Sequence, residues 1–162
     1  YHNGRYMPYN RGRHEQFLAG RDIRLGAYGD PAAMPTSMVK YLATVGSGHT
    51  GYSHQLFSIE RSRADELAQW LMVSCHTKAQ HNEALRRGWR PFTVIAEGQE
   101  PPERSVECPF YTHGVNCASC QLYQGTSKNA LPVYVRAHAR VGVNLPQVQL
   151  EEREVLHGAG TG

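Results

Sequence analysis

The sequence predicts an α/β domain, a mainly parallel sheet or partial (half) barrel of alternating strands and helices with a cysteine metal-binding loop. Three observations point there. Short apolar, β-branched runs take turns with stretches of helical spacing, the pattern of a parallel sheet covered by helices. Polar and ionisable residues recur where those runs end. Three of the four cysteines, Cys108, Cys117 and Cys120, stand close together late in the chain.

The elements follow in order. DIRLGAYG, residues 22–29, reads as the first strand, and Asp30-Pro31 turns the chain out of it. Met34, Met38, Leu42 and Val45 then fall at helical spacing, with Pro35 suited to a first turn and Gly46 to a stop. Residues 50–53 are a second strand. Ala64, Leu67 and Ala68 mark a helix behind a Ser62–Asp65 capping pair, and QWLMVSC is the third strand. Thr77 and Gln80 form a capping box for the clearest helix, with Ala84 and Leu85 as its apolar contacts and Gly88 as its end. RPFTVIAE is the fourth strand, residues 97–107 are a Glu- and Pro-rich loop, and LPVYVRAHA is the last strand.

At 162 residues, with 40% hydrophobic and 19% charged residues, the chain has the size and composition of one globular domain. No apolar run approaches the roughly 18 residues that span a bilayer, and no charged-then-apolar leader stands at the start, so a soluble, cytoplasmic protein with no membrane partner is expected. The organisation reads as a basic segment over 1–21, expected to be the remnant of a longer chain, an α/β metal-binding domain over 22–143 and a flexible tail over 144–162. Seventeen Lys and Arg against fourteen Asp and Glu leave a net charge of +3, which permits nucleic acid as a partner without arguing for it. Arg5, Arg11, Arg13, Arg21 and Arg24 among Tyr1, Tyr6 and Tyr9 are the residues that would make such an arm.

In parallel α/β sheets the ligand site lies at the carboxyl ends of the strands. Here those ends carry Asp30, Ser53 and His54, Cys75 and His76, Glu97, and His138. Asp30, His54 and His138 are the candidate catalytic residues, although Asp30 has an alternative role in shaping the turn before Pro31. Any one histidine is more often a satisfied, half-buried side chain.

Cys117-Ala-Ser-Cys120 is a CxxC knuckle whose two thiolates can chelate one ion, and Pro109 stiffens the approach from Cys108. Zinc is the expected cofactor and an iron–sulfur cluster the alternative. Cys75, at a strand end, is the favoured fourth ligand, His113 is the alternative, and His76 and Tyr123 are weaker options. Two disulfides are the competing reading, disfavoured because a CxxC pair is usually a redox or metal device. Gly46-Ser-Gly48-His-Thr-Gly51 matches G-x-G-x-x-G, but it follows a helix and enters a strand, the reverse of what a dinucleotide's pyrophosphate requires.

RLGAYGDPAAMP (24–35), TGYSHQ (50–55), RRGWRPFTV (86–94) and the run from Cys108-Pro109 to the CxxC together resemble a group of uncharacterised phage, plasmid and bacterial proteins similar to a degenerate radical-SAM-like half barrel. The resemblance covers most of residues 22–140. It implies a parallel partial barrel with a cysteine-bound metal near its end. Relatives in that group carry a further cysteine where this chain has Tyr123, and radical chemistry needs a CxxxCxxC loop that is absent here. Three functions follow as expectations: a metal-binding α/β domain of mobile-element origin with a small-molecule or nucleotide pocket at the strand ends; a metal-dependent enzyme using Asp30, His54 and His138; or a nucleic-acid-binding module.

Overall fold

The computed structural model describes residues 9–120 and 122–137. His138 and the tail expected from 144 onward lie outside the described residues, as does the start of the basic segment.

The first described element is a helix that sequence reading did not anticipate. Asn10 caps α1 (Arg11–Leu18) by accepting from Arg13 N, and Arg11 pairs with Glu15 and lies over the Tyr41 ring. The sheet strands are β1 (Asp22–Arg24), β2 (Gly48–Thr50), β3 (Tyr52–Ser53), β4 (Met72–Cys75), β5 (Pro91–Ile95), β6 (Val106–Glu107) and β7 (Val133–Arg136). Every pairing is parallel: β1 with β2, and β3-β4-β5-β7-β6 in that order. Only Gly51 separates β2 from β3. Its N–H donates to the Tyr123 carbonyl while its own carbonyl accepts from Met72 N. The expected α/β class with a parallel sheet is therefore what the chain forms.

Helices α2 (Thr36–Val45), α3 (Arg61–Ala68) and α4 (Lys78–Arg86) connect strands that are neighbours in space as well as in sequence. All three pack on one face. Val39 and Ala43 of α2, Ala64 and Leu67 of α3 and Ala84 of α4 share one buried cluster with Val73 and Cys75 of β4. Successive crossovers of one hand, taken in order along a sheet, wind the helices onto a single side, as in a barrel. The other face carries a second cluster, with Met72, Phe92 and Val133 from the strands and Cys108 and Tyr123 from the segment that folds back over them.

Several local expectations need correction. The first strand stops at Arg24, because Gly26 and Gly29 turn the chain toward Asp30. Glu60, not Ser62, caps α3: its carboxylate accepts from Ser62 N and Arg63 N. Thr77 does cap α4 through Gln80 N, but Gln80 returns its bond to His76 N, one residue earlier than a standard box. Leu85 lies on the exposed side of α4. The cysteine segment is not a plain loop. It contains β6, α5 (Pro109–His113) and α6 (Cys117–Cys120), so the CxxC sits in one helical turn.

Arg90 anchors this segment. Its buried guanidinium donates to the carbonyls of Leu122, Gln124, Gly125 and Leu131, and burial lowers its pKa from the ordinary arginine value. Gly125 is required by proximity: a Cβ there would lie 2.2 Å from the Ala68 carbonyl oxygen.

Candidate functional site

Side chains alternate across a strand, so the two faces of the sheet have different chemistry. On β1, Ile23 packs toward the helices and Arg24 toward the other face. On β4, Met72 belongs to the helix-free face whereas Val73 and Cys75 belong to the helix-covered one. The helix-free face holds a cleft of about 230 Å³. Arg24, Tyr52, Phe92 and Val135 line it from the strands, and Cys108 and Phe110 are among its lining from the segment above. Residues of β1 in the two-stranded sheet and residues after β6 in the five-stranded sheet thus border one cavity.

Aromatic rings dominate the walls. Tyr52 and Phe92 stack with centroids 5.1 Å apart and planes 24° apart, and Tyr123 tilts onto Phe92 at 5.3 Å. Phe110 and Tyr111 meet edge to face at the mouth, 53% and 52% exposed. Gly114, in the left-handed conformation at φ 67°, ends α5 by returning its N–H to the Phe110 carbonyl, and Val115 N bonds Pro109 in the same closing turn.

The cysteines separate into two environments. Cys108 is buried on the cleft face, where the Tyr123 hydroxyl donates to its sulfur at 2.7 Å. Burial, that hydrogen bond and the charge effect of the Cys108, Cys117 and Cys120 sulfurs push the Tyr123 phenol up from its ordinary pKa. Cys75 is fully buried among Val73, Leu56 and the helix side chains, its thiol pushed up to about 12 by burial. Strand alternation thus turns Cys75 away from Cys108. The structure does not bring the favoured fourth ligand to the other three. His113 is exposed at the end of α5, with Nδ1 2.7 Å from Thr112 Oγ1. As placed, no three His, Cys, Asp or Glu side chains among the described residues form a set that would hold a metal ion.

At the strand ends the structure brings Asp30, Ser53, His54 and His76 together. Asp30 Oδ1 accepts from Ser53 Oγ at 2.6 Å and from Ala32 N at 2.9 Å, and Oδ2 accepts from His54 N at 2.8 Å. Both oxygens are thus engaged in shaping the turn, and Asp30 positions His54 instead of presenting a free base. His54 Nδ1 lies 3.4 Å from His76 Nε2, with ring planes 10° apart. Each imidazole is fixed through its backbone, His54 by Asp30 and His76 by Gln80. Glu97 is exposed beyond the end of β5, and no contact joins it to this group among the described residues.

Tyr52, Phe92, Phe110 and Tyr111 were not singled out from sequence, and Arg24 was named there only as part of a nucleic-acid arm. Alternation within each strand was the available signal, but reading it required knowing which face the helices leave open. No family model, curated protein or solved structure matches this chain. The class of protein is therefore defined by fold and site alone: a parallel α/β domain, helices on one face, with an aromatic cleft beneath a cysteine segment on the other. Among the described residues no helix is long and apolar enough to cross a membrane.

Proposed function

We propose that this is a metal-binding α/β domain of mobile-element origin, in which Cys108, Cys117 and Cys120 take up one zinc ion that clips the cysteine segment over a small-molecule or nucleotide pocket. The observation that supports the reading is that Cys108 and Cys117 both line the cleft, with Cys120 in the same helical turn as Cys117 and the Tyr123 hydroxyl bonded to Cys108. Three soft sulfur donors from one short segment, two of them in a CxxC turn, are the donor set that zinc prefers. A bound zinc would supply cross-linking of α5 and α6 to the end of β6, in a region whose own helices are too short to be stable alone.

The fourth position belongs to the cleft side. Cys75 packs on the opposite face, whereas the Tyr123 hydroxyl is already bonded to the Cys108 sulfur. Zinc is preferred to an iron–sulfur cluster because no group here calls for electron transfer, and a brown protein absorbing visible light would reverse that preference.

Metal analysis of protein purified without oxygen tests the reading. About one zinc per chain is expected, falling to near zero in Cys117→Ser/Cys120→Ser. Stoichiometric zinc in that double variant would place the metal elsewhere and overturn the assignment.

A further inference from the structure

Resting on the reading of the cleft as a ligand site, we infer that its ligand is a planar aromatic ring bearing an anionic group, with Arg24 as the residue that holds the anion. The walls define the ring. Tyr52, Phe92 and Tyr123 form a continuous aromatic floor, while Phe110 and Tyr111 leave half their surface uncovered at the mouth. A flat ring entering between floor and mouth would cover exposed aromatic surface in offset or edge-on contact, the arrangement that π-systems favour. An aliphatic ligand of equal size would gain only the area burial.

The charge defines the substituent. Among the described residues no acidic side chain lines the cleft, and Arg24 is the one cation that does. Its guanidinium has no hydrogen-bond or ion-pair partner among the described residues. A guanidinium presents a planar fork of donors that matches carboxylate or phosphate two bonds at a time. Arg24 stands on β1 beside β2, and α6 with the CxxC turn packs against β2, so Arg24 and Cys117 border the same cleft. The cleft's volume of about 230 Å³ limits the buried portion to about one ring system.

Two sources share this chemistry, a nucleoside monophosphate and a simple aromatic carboxylate. Isothermal titration of the full chain separates them, using the four common nucleoside 5′-monophosphates, the matching nucleosides, benzoate and inorganic phosphate. The expected result is that at least one aromatic anion binds about tenfold or more tightly than its neutral counterpart, with affinity falling as salt rises. Arg24→Gln should abolish that preference while retaining bound zinc and a melting temperature close to the parent's, and Arg24→Lys should recover part of it. Tyr52→Leu should weaken the charged and the neutral ligand alike. Equal binding of nucleoside and monophosphate, or of phosphate and monophosphate, would overturn the inference, as would no binding of any aromatic anion at millimolar concentration. Zinc content is measured on the same samples. Zinc without aromatic-anion binding defeats this inference alone, and aromatic-anion binding without zinc defeats the metal reading alone.

Discussion

Cys75 and Cys117 show how far environment separates two copies of one side chain. Cys75 is enclosed by Leu56, Val73 and Ala84, and burial holds its thiol protonated, with a pKa of about 12, whereas Cys117 is exposed. Iodoacetamide at neutral pH should therefore modify Cys117 of metal-free folded protein while Cys75 stays unmodified until denaturation, as peptide mass mapping would show. Cys75→Ser should cost about 1–3 kcal/mol in urea unfolding, because a hydroxyl replaces sulfur in an apolar pocket, and should leave metal content unchanged. Reduced metal content in that variant would mean that the face assignment is wrong. Asp30 makes a different point. Its place before Pro31, at the end of the first strand, was legible as a turn or a rim residue, but sequence could not decide between them. The decision lies in tertiary partners, since Ser53 at the end of β3 and His54 just after it stand 23 and 24 residues further along the chain. Asp30→Ala leaves those donors unanswered and should cost about 2–4 kcal/mol. Retention of full stability would show that the turn does not depend on this carboxylate.

The elements most legible in the sequence are those whose periodicity and caps agree. α4 has Thr77 at its start and Gly88 after its end, and β4 and β5 are short apolar runs of the kind that parallel sheets bury on both faces. β6 was missed because two residues carry no period, and its place at the sheet edge beyond β7 depends on pairing with a strand that follows it in sequence. The N-cap of α3 was misplaced because Ser62 resembles a cap, while Glu60, two residues earlier, reaches the same amides. The cysteine segment was read as a loop because its helices span five and four residues, too short for a repeating apolar face. What orders this segment is long-range: Arg90 holds four of its carbonyls, and Gly125 lets it pass against the end of α3. Gly125→Ala should accordingly destabilise by about 3 kcal/mol, because the Cβ would meet the Ala68 and Gln69 backbone. Urea denaturation checks this, and an unchanged midpoint would mean that the segment can move off α3 at little cost.

For the molecule as a whole, two histidines buried among the described residues respond to acid. His49, against the Trp70 carbonyl, and His81, against Thr93, both have pKa values lowered from 6.5, chiefly by burial, with backbone hydrogen bonds opposing. Each is held neutral in the folded state, so the unfolded chain binds more protons as pH falls. Their contribution to stability is fully present above the unfolded value of about 6.5 and is lost as pH drops through that value toward the lower folded ones. The melting temperature should be level near pH 7 to 8 and decline below about 6.5, with a shallower decline in His81→Gln; a flat profile down to pH 5 would show that neither histidine is held neutral. The fold class was readable because alternating strand and helix patterns specify a parallel sheet locally, whereas the aromatic cleft becomes visible only once α2, α3 and α4 are seen to share one face. The proposed metal clip joins the two, since it would tie the segment roofing the cleft to the end of β6. X-ray absorption at the zinc edge, on full-length protein purified without added metal, addresses it. The expected spectrum is about one zinc per chain with about three sulfur neighbours near 2.3 Å and a lighter atom in the remaining position. A metal-free protein whose melting temperature is unchanged by added zinc and by chelator would contradict it.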